Sequence, residues 1–173
     1  LEDTHSVVNR LRWGPDGWLY AAQGSTVTAK VTRPEFDEKE IFSMGQNIWR
    51  YHPEARRDEV FAEGGGNAFG REFDAQGRIY SGHNGGDTRG FHYVQNGFYL
   101  KQGKSPGKFG PPDNPFSFGE LPMMPGGNIP RFSHNVIAVN GSAMPEAWQG
   151  KLLGADPLHR HLVLSQRTAI GAS

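Results

Sequence analysis

The sequence predicts an all-β chain of short strands grouped in repeating units, the pattern of a β-propeller, and three observations carry that reading. Turn dipeptides recur: Asp16-Gly17, Asn84-Gly85, Asn96-Gly97 and Asn140-Gly141 each lie between apolar or aromatic stretches, as hairpin turns do. Runs of strand length rich in β-branched and aromatic residues fall between the turns. Finally, "LRWGPDGWLYAAQG" at 11–24 aligns without gaps on "REFDAQGRIYSGHN" at 71–84, sixty residues later. A unit of short strands with a Gly turn and an aromatic at fixed places is how a propeller blade reads in sequence.

Taken in order, the first unit opens at 11–24, where Trp13, Gly17, Leu19 and Tyr20 match Phe73, Gly77, Ile79 and Tyr80 of the second. Val27-Thr28-Ala29-Lys30-Val31 follows as a strand. Residues 34–42 are charged, without a clear helix cap or a wide apolar stripe, and read as a hairpin end or one helical turn. Ile48-Trp49-Arg50-Tyr51 and Arg78-Ile79-Tyr80 are further strands. Residues 103–130 hold seven Pro and six Gly, which removes ladder donors and predicts a long loop, with Phe109, Phe116 and Phe118 expected to pack it onto something. A third, less similar unit starts near Arg131 and runs through "GKLLGAD" to the strand His161-Leu162-Val163-Leu164. At about sixty residues per unit the chain holds about three, in one partial propeller domain spanning 1–173, fewer than the four or more of a closed ring. Leu1 with no leader before it and Ser173 directly after strand-like sequence add to the expectation of a segment of a longer chain.

Composition narrows the function. Lys plus Arg number 18 against 18 Asp plus Glu, interspersed, which favours neither nucleic acid nor an anionic membrane surface. Apolar runs fall far short of the roughly 20 residues that span a bilayer, so no membrane insertion is expected. The chain has no Cys, which excludes a disulfide framework, a thiol nucleophile, a zinc-thiolate site and a covalent haem motif. Glycine and proline make up 24 and 12 residues, so turns are many, while 36% hydrophobic content suffices for a packed interior.

Three places could carry chemistry. His159 and His161 are two apart and would share one face of a strand, as a two-ligand metal site or as a solvated or cofactor-facing pair. Asn140-Gly141-Ser142 matches a glycosylation acceptor, although a hairpin turn explains it equally. The richest segment, 64–90, offers backbone carbonyls from Gly-rich turns, the amides of Asn67 and Asn84 and the carboxylate of Asp87, an oxygen mix that suits Ca²⁺, or else a tight loop bonding its own backbone.

"HSVVNRLRWGPDGWLYAAQGS" (5–25), "NAFGREFDAQGRIYSGHNGGD" (67–87) and "HNVIAVNGSAMPEAWQGKLLGAD" (134–156) together resemble, in the same order, stretches of soluble quinoprotein glucose and sorbosone dehydrogenases. The run is closer still to the propeller part of the large membrane-bound dehydrogenase proteins of planctomycetes and verrucomicrobia, which often carry a separate haem-binding domain. The resemblance implies a six-bladed propeller that is periplasmic or otherwise exported. It would bind pyrroloquinoline quinone and Ca²⁺ and oxidise a sugar or related alcohol, with a haem domain as a possible electron acceptor. Carried over by position, His5 matches the general base, Asn67 and Arg160 match cofactor contacts, and Gly85 with Gly86, followed by Asp87, match the Ca²⁺ turn. Gly66 stands where the family usually has a basic residue, and the spacing from His5 to Leu11 is one residue longer. A propeller that binds carbohydrate or a protein partner without catalysis is the alternative, and three units alone are expected to be inactive.

Overall fold

The computed structural model describes residues 7–25, 27–33, 37–68, 70–83, 88–101, 116–127 and 135–170. Among them the architecture is all-β, with several small sheets and a single 3-10 turn at Glu146–Trp148. β1 (Asn9–Trp13), β2 (Leu19–Gln23), β5 (Asn47–His52) and β6 (Arg57–Gly65) pair antiparallel in that order, each with its sequence neighbour in the sheet. Between β2 and β5 the chain leaves the sheet as a separate hairpin, β3 (Ala29–Arg33) and β4 (Asp37–Ser43). Residues 37–42 are therefore strand, the hairpin end of the two readings the charge pattern left open.

The excursion is tied down by buried polar groups. Gln23 accepts from the indole of Trp49 at 2.7 Å and from the hydroxyl of Ser43 at 2.9 Å, and its amide donates to the carbonyl of Val27 at 2.7 Å. The amide of Asn47 donates to the same Ser43 hydroxyl. Gln23 and Ser43 are wholly buried, so these bonds replace ones lost to water.

A second sheet contains β7 (Glu72–Phe73), β8 (Ile79–Gly82) and β9 (Gly90–Tyr93), and a third contains β12 (Ile137–Ala138), β13 (Leu152–Asp156) and β14 (His161–Ser165). The sixty-residue repeat is a repeat of geometry. Trp13 pairs with Leu19 and Arg12 with Tyr20 in the first sheet, while Phe73 pairs with Ile79 and Glu72 with Tyr80 in the second. The turns match as well: the Gly14 and Asp74 amides donate to Trp18 and Arg78, and Gly17 and Gly77 hold φ of +80° and +78°, a region glycine enters without cost.

The three sheets, called units one to three below, touch one another through aromatic and cationic side chains. Tyr20 of β2 meets Phe73 of β7 with ring centroids 5.1 Å apart, and Tyr80 of β8, its counterpart, meets the guanidinium of Arg167 beyond β14 at 4.5 Å. The main core lies between units one and two and gathers Tyr20, Ala22, Ile48, Phe61, Ile79, Phe91, Tyr93 and Tyr99, with Trp18, Phe73 and Leu121 against it. Each large side chain so buried contributes about 1.5–3 kcal/mol.

Three expectations need correction. Asn96-Gly97 does form a turn, but β10 (Phe98–Lys101) does not fold back on β9; it pairs parallel with β6 and with the two-residue β11 (Glu120–Leu121). The glycine-rich end of β6 lets Tyr99 lie close enough for this, with the Glu63 amide bonded to the Gly97 carbonyl. Asn140-Gly141 does not make a tight hairpin either, because β12 and β13 pair across a connection that includes the 3-10 turn. The Pro-rich stretch carries β11 and packs through its backbone: Met124 bonds Gly90 at 3.0 Å and accepts from the Thr88 hydroxyl at 2.6 Å. Phe116 and Phe118, expected to anchor it, stay exposed, and Phe109 and the Asn84-Gly85 turn lie outside the described residues.

Candidate functional site

The three units meet at a set of arginines. On β1 the chain bulges, the register shifting between Asn9 and Arg12, and Arg10 takes φ +49°. A non-glycine residue there costs about 1 kcal/mol, and a bulge re-aims the side chain it carries. Arg10 points its guanidinium between the units: Nη2 lies 3.7 Å from the Glu72 carboxylate of unit two, and Nη1 donates to Asn135 Oδ1 of unit three at 3.3 Å. Arg12 binds the same Glu72 oxygen at 2.6 Å.

Arg71, just before β7, is wholly buried and donates to the carbonyls of Arg10 at 2.8 Å and Arg12 at 3.4 Å, its guanidinium 5.6 Å from the Tyr20 ring. Burial, then the neighbouring Arg10, pulls its pKa down to about 9. Arg10 and Arg12, both partly exposed, thus share one buried carboxylate, Glu72, while the buried Arg71 binds backbone carbonyls and its Nε has no hydrogen-bond partner among the described residues. A buried cation is costly unless paired, so Arg71 suits a neighbouring anion.

Arg89, between Thr88 and β9, is a second buried cation, its pKa pushed down by burial to about 10. It lies against Gly154 of β13, where a Cβ would come within 2.2 Å of Arg89 Nη2 and 2.7 Å of the Asn135 carbonyl. Gly70 is needed for the same reason, since a Cβ there would sit 2.6 Å from Arg10 Cδ and 2.9 Å from Asn135 Oδ1. Glycine at these two points lets Arg10 and Arg89 close on Asn135 from units one and two.

The residues expected from sequence fall in different places. Asn67 lies between units one and two, but its Oδ1 accepts from the Ser25 amide at 2.8 Å and so fixes the loop after β2. Arg160 sits in the exposed turn between β13 and β14 with φ +59°. His5, Gly85, Gly86 and Asp87 lie outside the described residues. His159 and His161 are drawn together by a residue the sequence reading did not use: Asp156, 1% exposed, whose Oδ2 lies 2.8 Å from His159 Nδ1 and 3.5 Å from His161 Nε2. Burial alone would raise that carboxyl, but the His159 amide and ring hold it below the usual range. Among the described residues no group of three His, Cys, Asp or Glu is placed to hold a metal ion. Arg10, Arg71, Arg89 and Asn135 were not singled out from sequence, where Gly70 and Gly154 were the local signals of a close approach.

Fold and site define an all-β protein of several small sheets with buried cationic side chains, Arg71 and Arg89, beside them. The chain belongs to the family described as a domain of unknown function, DUF7133, whose model matches residues 1–170. No curated protein and no solved structure matches it.

Proposed function

We propose that the three units are consecutive blades of a β-propeller and that the chain forms part of the cofactor-binding face of a quinoprotein oxidoreductase acting on a sugar or related alcohol. The observation that supports this reading is the gathering of Arg10, Arg71 and Arg89 near the junction of the units, with Arg10 on Asn135 Oδ1, Arg71 on the Arg10 and Arg12 carbonyls and Arg89 against Gly154. Guanidiniums gathered at this junction fit a multiply carboxylated cofactor such as pyrroloquinoline quinone, because a guanidinium fork can take a carboxylate in two parallel bonds. When bound, that cofactor supplies the two-electron acceptor for alcohol oxidation. Arg10 and Arg89 would hold its carboxylates, and Arg71, by clamping two β1 carbonyls, keeps Arg10 aimed. His5 would take the proton of the substrate hydroxyl on a ring nitrogen, as an imidazole titrating near neutrality can. Gly85, Gly86 and Asp87 would give oxygens to Ca²⁺. An exported protein whose haem domain accepts the electrons completes the reading.

The test is reconstitution of the protein, in its complete chain, with pyrroloquinoline quinone and Ca²⁺, reading cofactor uptake by absorbance and dye reduction across an aldose panel. Uptake with aldose-dependent dye reduction is expected, and Arg89→Gln should cut uptake at least about tenfold, the loss of one charge-assisted pair. A folded protein that takes up no cofactor removes the reading. One observation favours a binding module without catalysis: the Asn67 amide oxygen is already used by the Ser25 backbone. Carbohydrate binding with no cofactor uptake is its signature.

A further inference from the structure

Asn-Gly pairs stand at 84, 96 and 140, and an asparagine before glycine carries a latent reaction of its own. The backbone nitrogen of the glycine can attack the side-chain carbonyl carbon of the asparagine, because glycine has no Cβ to crowd the approach and lets the backbone turn toward it. Folding decides whether that attack is open. Asn84-Gly85 lies outside the described residues, and the other two pairs stand in opposite settings.

At Asn96-Gly97 every backbone group is bonded. The Asn96 amide donates to the Phe61 carbonyl at 2.7 Å, and its own carbonyl accepts from the Phe118 amide at 3.3 Å. The Gly97 amide donates to the Val94 carbonyl at 3.0 Å, and its carbonyl accepts from the Glu63 amide at 2.9 Å. Space is closed as well, since a Cβ at Gly97 would meet Leu121 at 3.0 Å and Tyr99 at 3.2 Å. The nucleophilic nitrogen is held in the turn, and bringing it to Asn96 Cγ would break the join of β6 with β10.

Asn140-Gly141 is the reverse. It sits in the connection from β12 to β13, at the end of paired strands rather than on a sheet face, and residues 140–147 are all exposed. Gly141 holds φ +99°, and a Cβ there would meet nothing within 4 Å. Among the described residues its amide has no acceptor; its carbonyl accepts from the Gln149 amide at 2.8 Å. The Asn140 side chain keeps one long bond, from Nδ2 to the Ala138 carbonyl at 3.4 Å. Both reacting groups can therefore meet in water.

We propose that Asn140 is a site of spontaneous covalent modification in the folded protein, and that Asn96 is protected from the same reaction. Gly141 N bonds to Asn140 Cγ, the Cγ–Nδ2 bond breaks, and ammonia leaves with the Gly141 amide proton, closing a succinimide. Water then opens either imide C–N bond, giving aspartate or isoaspartate. Isoaspartate adds one carbon to the backbone beside Val139, whose bonds with Lys151 and Gly150 close β12 on β13, and it leaves a carboxylate where an amide stood. The inference stands apart from any catalytic reading.

The test incubates the folded protein, in its complete chain, in mildly alkaline buffer and maps tryptic peptides against a zero-time control. The cuts separate the three pairs into 79–89, 90–101 and 132–151. Peptide 132–151 should exchange NH2 for OH at Asn140 at least about tenfold faster than 90–101 does at Asn96, where a local opening must come first. Electron-transfer fragmentation should find isoaspartate among the products. In urea beyond the unfolding midpoint the two rates should converge, and Asn140→Gln should leave 132–151 unmodified at that position. Asn140 staying intact in the folded protein, aspartate without isoaspartate, Asn96 keeping pace while folded, or a difference that persists in urea overturns the proposal.

Discussion

Arg50 lies on the interior strand β5 of unit one, with its side chain largely covered. Its guanidinium lies 4.1 Å from the Trp18 ring and 5.2 Å from that of Phe61, and Nε binds Glu59 at 2.6 Å. Arg50→Lys keeps the charge but loses the planar fork and the stacking, so we expect a loss of about 1–2 kcal/mol, read as a lower urea midpoint at unchanged slope. Asp74 joins units two and three, accepting from Arg78 at 2.7 Å and Arg167 at 2.8 Å. Burial alone would raise its carboxyl, yet the bonds from Arg167 and Arg78 hold it below the usual carboxylate range. The folded pKa is depressed, so the stability Asp74 supplies is complete above its unfolded pKa of about 3.9 and fades as pH falls through the folded value. Urea midpoints of the parent and Asp74→Asn should therefore differ at pH 7 and converge in acid. His92, stacked on Tyr80, is lowered first by burial and then by Arg78. As pH drops below about 6.5 the unfolded chain takes the proton first and stability declines; an NMR titration of the ring should place its midpoint under the free value.

At the scale of elements, the hairpin turns at 14–18 and 74–78 were legible because Pro-Asp-Gly and Ala-Gln-Gly each put glycine where φ must be positive, and the apolar alternation then fixes the register. Strands β3, β5, β8 and β14 were legible from β-branched and aromatic runs. Strand β10 was misread for a physical reason: Asn96-Gly97 reports only the local turn, whereas the partner, β6, is chosen by distant packing of Tyr99 and Phe91. The arginine site was illegible because nothing in a sequence distinguishes a buried Arg71 from a solvated one. Its local trace is glycine at Gly70 and Gly154. Gly154→Ala tests that trace: the added methyl meets backbone at Asn135 and the Arg89 head, and we expect about 1–3 kcal/mol of destabilisation in urea melts.

Across the whole molecule, the strands differ in how well they are covered. β8 is buried throughout and β2 nearly so, while Leu162 and Leu164 of β14 are exposed. Amide exchange should accordingly be slowest in β2, β5 and β8 and faster in β14, whose Leu162 and Leu164 lie in solvent; equal protection throughout would contradict that gradient. The repeat and its sense were readable from sequence, and which units touch followed once Tyr20 and Tyr80 were seen to face successive neighbours.

The parallel pairing of β10 and β11 on β6 has a consequence for synthesis. Among the described residues the first sheet's β6 edge is closed by β10 (Phe98–Lys101) and then β11 (Glu120–Leu121), which leave the ribosome after the strands of the second sheet. An emerging chain must hold the β6 edge open meanwhile, so the nascent protein matures by back-stitching rather than strictly one unit after another, and that interval is when a bare strand edge is most open to a chaperone or to a neighbouring chain.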